Sequence, residues 1–269
     1  MTDLPERNVT RVDDRNLAWR EAGSGPALVL VHGIGGHAGS WRNQLTEFSS
    51  SHRVIAWDAP GYGGSDPLGI DAPRASDYSS VLAAFLRTLG VSSAHLVGHS
   101  LGSIMIASLC KAHGFVPEGL TFLQPVTGTG LLPDEKREAI RKTRIDDMTR
   151  LGAREFAIQR GRTILSPKAT PSAVTDALEV MMVVPQQGYL AAWDMMCAED
   201  LFSLIEPRHR TMVVCGSDDP VSPPETGQAI ADRIPNSAFH VLKDVGHYAA
   251  LEAPDRLNAI LRDFITSKT

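Results

Sequence analysis

Ala94-His95-Leu96-Val97-Gly98-His99-Ser100-Leu101-Gly102-Ser103-Ile104-Met105-Ile106-Ala107-Ser108-Leu109-Cys110 is the stretch whose reading decides the fold. Ala94 to Val97 is an apolar run of strand character, and Ser103 to Cys110 reads as a buried helix. Between them a serine is flanked by Gly98 and Gly102. A serine placed this way at a strand-to-helix turn is a nucleophile elbow. The turn is tight and strained, so glycine is needed where a side chain would collide with neighbouring backbone. The serine hydroxyl is then held at the strand tip, beside the start of a helix. With Gly and Ser each near 7% of residues, G-x-S-x-G arises by chance in about one chain in ten of this length. The weight therefore rests on the strand before it, the helix after it and the partners downstream.

Working outward, Val9 to Val12 and Leu17 to Arg20 flank a polar turn at Asp13-Asp14-Arg15-Asn16 and read as a hairpin. Ala27-Leu28-Val29-Leu30-Val31 and Arg53-Val54-Ile55-Ala56-Trp57 are continuous apolar runs, as expected of strands covered on both faces. Between Ser76 and Gly90, Tyr78, Val81, Leu82, Phe85, Leu86 and Leu89 share one helical face, with Gly90 suited to follow the C-cap. Leu120 to Leu123, Thr211 to Cys215 and Ala238 to Leu242 are further strands. Helices are expected from Glu225 to Arg233 and from Pro254 onward. Strands alternating with helices imply a mostly parallel α/β sheet flanked by helices.

The alternation breaks from Val126 to Glu206. This segment reads as helical, with breaks near Gly152, Ser166-Pro167 and Val184-Pro185, and with Thr170-Pro171 as an N-cap and first-turn proline. The expected organisation is a core made of residues 1–125 and 207–269, with residues 126–206 inserted as a helical cap. Such a cap would sit over the C-terminal strand ends, where open α/β sheets bind ligands.

The 269 residues suffice for one large core, and a net charge of −5 gives no basic excess of the kind that nucleic acid or an acidic membrane attracts. The Lys136-Arg137 and Arg141-Lys142 pairs alternate with Glu135, Glu138 and Asp146, the pattern of a solvated helix face. The cysteines are odd in number, Cys110, Cys197 and Cys215, without CxxC, which fits reduced thiols in a cytoplasmic protein. The N-terminus carries no apolar signal segment, and no run is long enough to span a bilayer.

Serine needs a base, and His247 follows the last predicted strand, at the same sheet edge as Ser100. The base needs a carboxylate to fix its tautomer and stabilise its charged form. Asp218 and Asp219 compete in Gly216-Ser217-Asp218-Asp219-Pro220. Asp219, next to the proline, is the better acid, and Asp218 the ordinary turn residue. A carbonyl under attack needs donors for its developing charge. The amides of Ile34, in His32-Gly33-Ile34-Gly35-Gly36, and of Leu101, at the helix start, are assigned to that oxyanion hole. His32 and His99 read as loop supports. In the inserted segment, Met181, Met182, Trp193, Met195 and Met196 offer either an adaptable apolar wall for substrate or the segment's own core. Trp193 is taken as the substrate contact. Arg160 and Arg162 are candidates to pair with a substrate carboxylate, though exposure is the default for such residues. The histidines form no H-E-x-x-H or other close ligand spacing.

The chain is identified as a member of the α/β-hydrolase superfamily over nearly its whole length. The residues carrying the resemblance are His32-Gly33, Asp58-Ala59-Pro60-Gly61-Tyr62-Gly63-Gly64-Ser65, the elbow at Ser100, Gly216 to Pro223, and Gly246-His247 followed by Glu252-Ala253-Pro254. The order Ser100, Asp219, His247 is the superfamily's order. Gly188 to Trp193, Asp200-Leu201 and Ser217 to Pro224 resemble the 3-oxoadipate enol-lactonase group. The meta-cleavage C–C hydrolases are also similar, but often carry tryptophan after the catalytic histidine, where Tyr248 stands here. Haloalkane dehalogenases use an aspartate nucleophile, and the elbow here holds serine. The resemblance implies a serine hydrolase opening an ester or lactone carbonyl, with no cofactor and no metal. The substrate is a small molecule, with no nucleic-acid or membrane partner and with room for a homo-oligomer. Cleavage of vinylogous diketones, or a non-catalytic receptor role on the same fold, are the alternatives.

Overall fold

The computed structural model describes residues 4–267. Its sheet has eight strands: β1 (Arg7–Val12), β2 (Arg15–Ala22), β3 (Ala27–Val31), β4 (Arg53–Trp57), β5 (His95–His99), β6 (Gly119–Leu123), β7 (Thr211–Gly216) and β8 (Ala238–Leu242). Their order is β1-β2-β4-β3-β5-β6-β7-β8. The β1–β2 hairpin and the β2–β4 pairing are antiparallel, and every other pairing is parallel. The hairpin turn is tighter than the sequence suggests: Asp13 takes φ 51, and Arg15 already pairs with Val12.

The apolar runs are explained by burial on two sides. Along β3, Val29 and Val31 face one core while Leu28 and Leu30 face another. The first core is completed by Tyr78, Leu82 and Phe85 of α2 (Ala75–Thr88) and by Ile104 and Met105 of α3 (Leu101–His113). The second receives Leu45 and Phe48 of α1 (Arg42–Phe48) and, from the C-terminal helix Pro254–Thr266, Leu257 and Leu261. Trp41, Leu45 and Phe48 carry the apolar spacing of a short helix that the strand alternation masks in the sequence. Gly90 follows the C-cap Leu89 with φ 70, as its position after α2 suggests.

Between β6 and β7 the described chain is helical: α4 (Asp134–Ile164), α5 (Pro171–Met182), α6 (Gln186–Ala198) and α7 (Leu201–Leu204). The 31 residues of α4 form two limbs, broken at Gly152 with φ 73 and ψ 160. Thr170 caps α5 by accepting from the Ala173 amide at 3.2 Å. Three further helices follow among the described residues: α8 (Pro224–Ala231), α9 (Ala249–Glu252) and α10 (Pro254–Thr266). Among the described residues no helix is long and apolar enough to cross a membrane. The three cysteines are buried and unpaired, and burial pushes the Cys110 and Cys215 thiols up to about 12.

Candidate active site

Ser100 is the single residue between β5 and α3, with φ 52 and ψ −115. A non-glycine residue there costs about 1–3 kcal/mol and persists only where the surroundings over-determine it. Here the Ser100 amide donates to the Leu123 carbonyl of β6 at 2.8 Å, and the Ser100 carbonyl accepts from the Ser103 amide at 3.0 Å. The Ser103 hydroxyl donates to the Gly98 carbonyl at 2.7 Å. Both flanking glycines are sterically required. A Cβ on Gly98 would lie 2.6 Å from the Gly102 backbone, and one on Gly102 would lie 2.3 Å from the Val31 carbonyl oxygen.

Asp219 and His247 come to this serine from the loops after β7 and β8. His247 Nδ1 lies 2.8 Å from Asp219 Oδ2, and Nε2 lies 3.0 Å from Ser100 Oγ. A carboxylate only accepts, so Nδ1 carries the proton and Nε2 presents its lone pair to the serine hydroxyl. The other oxygen, Asp219 Oδ1, accepts from the amides of Val221 at 2.8 Å and Ser222 at 2.9 Å. All three side chains are buried. Asp218 points away. It accepts from the hydroxyls of Ser166 at 2.6 Å and Ser217 at 2.8 Å, and these bonds hold its carboxyl below the usual range.

The loop after β3 brings Ile34 to the same place. The Gly33 carbonyl accepts from His32 Nδ1 at 2.8 Å and from the Gly36 amide at 3.0 Å. In a trans peptide the N–H points opposite to the C=O, so these two bonds aim the Ile34 amide the other way. Among the described residues that amide has no acceptor. The Leu101 amide is the first of α3 and so lacks an intrahelical acceptor, while the Leu101 side chain packs in the core. His32 Nε2 accepts from the Ala59 amide at 3.0 Å, which makes the ring a brace. His99 is one as well. Its Nε2 donates to the His247 carbonyl at 2.7 Å, and burial lowers its proton affinity to about 3, so it stays neutral.

Ser100, His247 and Ile34 open on a cavity of about 240 Å³ whose walls include Met181, Tyr189, Trp193, Met196 and Tyr248. Of the apolar candidates in the inserted segment, Met181, Trp193 and Met196 therefore line the cavity, and Met195 belongs to the core. Arg160 reaches the cavity wall, whereas Arg162 is exposed. Among the described residues no cluster of three or more His, Cys, Asp or Glu is arranged to hold a metal ion.

Four residues escape the sequence reading. Gln124, after β6, accepts from the Ala249 amide at 2.9 Å and donates to the Gly246 carbonyl, holding the His247 loop. Glu252 accepts from the amides of Gly246 at 3.0 Å and Tyr248 at 2.9 Å, on either side of His247. Its signal was the Glu252-Ala253-Pro254 motif, which carries no role by itself. Arg144 lines the cavity but lies within the charge run read as solvated. In that run Arg141 also departs from expectation, pairing with Asp194 of α6 at 2.6 Å. The Tyr248 hydroxyl is buried with no partner among the described residues.

A mostly parallel sheet with an elbow serine at its centre, met by an Asp–His pair from later loops, defines an α/β hydrolase. Residues 28–260 match the Alpha/beta hydrolase family, and the chain belongs to that family of hydrolytic enzymes. It is similar to the 2-hydroxy-6-oxo-6-phenylhexa-2,4-dienoate hydrolase of Comamonas testosteroni, 27% identical with all of both chains covered. Among solved structures it resembles a thermophilic esterase from Thermogutta terrifontis, with TM-score 0.85, 24% identity and 97% and 98% of the two chains covered. It also resembles the enol-lactonase from Burkholderia xenovorans LB400, with TM-score 0.82, 20% identity and 97% and 100% covered. At these identities the solved structures speak to the fold alone.

Proposed function

We propose that this enzyme is a serine hydrolase cleaving an ester or lactone, of the enol-lactone kind, through an acyl-enzyme on Ser100. The observation that carries the reading is the continuous line Asp219–His247–Ser100, at 2.8 and 3.0 Å, opening on a cavity with largely apolar walls. His247 Nε2 takes the hydroxyl proton as Ser100 Oγ attacks the carbonyl carbon. Asp219 stays ionised and stabilises the imidazolium. The amides of Ile34 and Leu101 hold the oxyanion. Collapse expels the alcohol or enol oxygen, which takes the proton from His247. In a lactone that oxygen stays attached to the acyl chain. Water, deprotonated by His247, then attacks the acyl carbon and restores Ser100.

Residues 126–206 act as the cap over residues 1–125 and 207–269, and Trp193 contacts substrate. The three unpaired thiols suit a reducing compartment, which we take to be the cytoplasm. The chemistry needs neither cofactor nor metal.

The test is kcat/KM for opening 3-oxoadipate enol-lactone, with Ser100→Ala as control and fluorophosphonate labelling in parallel. A value above about 10⁴ M⁻¹s⁻¹, lost in the variant, lies in the range of an enzyme on its own substrate. Folded protein whose Ser100 resists the probe would overturn the serine mechanism in favour of a binding role. A second reading, hydrolysis of a C–C bond in a vinylogous diketone, is favoured by the name of the Comamonas testosteroni relative. Labelling at Ser100 together with turnover of 2-hydroxy-6-oxo-dienoates and not of the lactone would select it.

A further inference from the structure

Arg144 and Arg160 stand on the two limbs of α4, on opposite sides of the break at Gly152. Both line the Ser100 cavity. Both also line a second pocket of about 220 Å³, with Asp147, Arg150, Phe156 and Gln159. The two guanidinium side chains are therefore the partition between an outer pocket and the chamber that holds Ser100.

Their surroundings set them apart from the other arginines on this helix. Arg137 pairs with Asp134, Arg141 with Glu138 and Asp194, and Arg150 with Asp147. Arg144 and Arg160 form no ion pair among the described residues. Arg154 and Arg162 form none there either, but they are exposed and line neither pocket. The one carboxylate in the outer pocket, Asp147, is already taken by Arg150 at 2.8 Å. Inside, Asp219 is committed to His247 and two amides. Arg144 is nonetheless held in place. Its guanidinium lies 4.7 Å from the Trp193 ring centroid and 5.4 Å from that of Phe156, and it donates to the Tyr189 hydroxyl at 3.3 Å. Stacking fixes the plane of the fork and leaves its other N–H groups free. Arg160 is half-buried, and both burial and the neighbouring Arg144 lower its proton affinity. A guanidinium in such a place keeps its charge all the same. Two half-buried cations thus share one cavity wall, and the carboxylate that acts on Arg160, that of Asp219, is already committed to His247, so an incoming anion is favoured there.

Resting on the serine-hydrolase reading above, we propose that Arg144 and Arg160 form a cationic gate. The gate draws a carboxylate-bearing substrate through the outer pocket and then anchors that carboxylate at the wall of the cavity, with the scissile carbonyl at Ser100. The guanidinium fork suits a carboxylate because two parallel N–H donors match its two oxygens. The rest of the chamber, with Met181, Trp193 and Met196, suits an apolar spacer between carboxylate and carbonyl.

The test compares 4-nitrophenyl hemiglutarate with 4-nitrophenyl valerate, a substrate pair differing chiefly in the terminal carboxylate. It uses the wild type and Arg144→Gln, Arg160→Gln and Arg160→Lys. The expected wild-type preference in kcat/KM for the hemiglutarate is at least tenfold. Each glutamine variant should lower that preference about tenfold or more, through KM rather than kcat, since hydrogen bonds to charged groups are the strong ones. Arg160→Lys should recover part of it. The preference should shrink as NaCl rises from 0.02 to 0.5 M, as a steered encounter requires. Glutarate binding by calorimetry gives a readout free of turnover, and should weaken at least tenfold in Arg160→Gln. If a glutamine variant loses its thermal transition, the salt dependence of the wild type and the lysine variant still decide. Equal turnover of the two esters, with no salt dependence and no glutarate binding, overturns the gate and leaves the serine reading standing. Failure of Ser100 to react with fluorophosphonate, with glutarate still bound, overturns the serine reading and leaves the anion site.

Discussion

Replacing Glu252 tests how His247 is held. Its carboxylate never touches Ser100 or Asp219, yet it accepts from the amides on both sides of His247 and from the Ser166 amide at 2.8 Å. Glu252→Ala removes all three acceptors at once. A hydrogen bond to a charged group contributes about 1.5–3 kcal/mol when buried. These sites are only partly buried, so water will replace some of that, and about 1 kcal/mol each, about 3 kcal/mol in total, is the expected loss. Glu252→Gln is the sharper probe. The amide oxygen can serve the site that receives the Ser166 and Gly246 amides, but its NH₂ then faces the Tyr248 N–H, donor against donor. The expected cost is about 1–2 kcal/mol. A His247 displaced by about 1 Å loses about a hundredfold in rate, which should appear in kcat and in the fluorophosphonate labelling rate, with KM little changed. A merely structural role would lower stability alone. Urea denaturation and labelling kinetics on the same samples separate the two. Loss of less than 0.5 kcal/mol with labelling within twofold of wild type refutes the reasoning.

Asp219→Asn should lower kcat by about 10⁴ while the fold survives, because the amide can no longer secure the right tautomer. Asp218→Asn should cost less than tenfold, and the reverse ranking in steady-state assays would reassign the acid. Tyr248→Phe removes a buried hydroxyl that has no partner, so stability in urea should hold or rise by up to about 1 kcal/mol. A loss beyond 1 kcal/mol would mean that the hydroxyl is bonded in the native state. His95 and His99 are both lowered by burial to about 3. A folded-state value below the unfolded 6.5 means that the unfolded chain binds more protons as pH falls. The stabilisation is therefore full above 6.5 and is lost progressively toward 3. Between pH 7 and pH 5 each histidine should cost about 2 kcal/mol, about 4 kcal/mol together. Denaturation curves that coincide at the two pH values would refute this, and His95→Gln should remove about 2 kcal/mol of the difference, the remainder resting with His99 and with His32, His37 and His52, which burial also lowers.

What was legible in the sequence follows from where information is local. Ser100, Asp219 and His247 each lie in a loop just beyond an apolar strand, and parallel strands deliver their C-terminal loops to one edge. Position in the alternation therefore places all three together before any distance is known. Asp219 rather than Asp218 stands against His247, and the neighbouring proline marks that turn in the sequence. Gly152 and Thr170-Pro171 announced the breaks between inserted helices, because backbone chemistry is read one residue at a time. Arg144 was hidden for the opposite reason. Its role depends on Trp193 and Phe156 packing against it from elsewhere in the fold, and nothing in a run of alternating charge separates the one arginine that turns inward. Gln124 and Glu252 act on amides more than one hundred and on a few residues away respectively, and amides leave no trace in residue identity.

The helices between β6 and β7 and the loops that carry Asp218 and His247 are fastened to one another at the same few atoms. The His247 amide donates to the Ile164 carbonyl, at the last turn of α4, at 2.7 Å. Ser166, just beyond that turn, gives its amide to Glu252 and its hydroxyl to Asp218. Lys168 pairs with Asp244 in the loop that leads to His247. A Cβ on Gly246 would lie 2.3 Å from the Ser166 nitrogen, so the two chains run in close contact here. The limb of α4 that carries Arg160 thus ends on the histidine and acid loops, while Arg144 stands beyond the break at Gly152, on a limb tied to α6 through Arg141 and Asp194. Bonds that align the histidine also set the distance of Arg160 from Ser100. Weakening them by Ser166→Ala, which deletes the hydroxyl bond to Asp218 and spares the amide bond to Glu252, should therefore lower kcat and raise KM for a carboxylate ester together. A change in KM alone would show that the inner limb is positioned independently of the histidine.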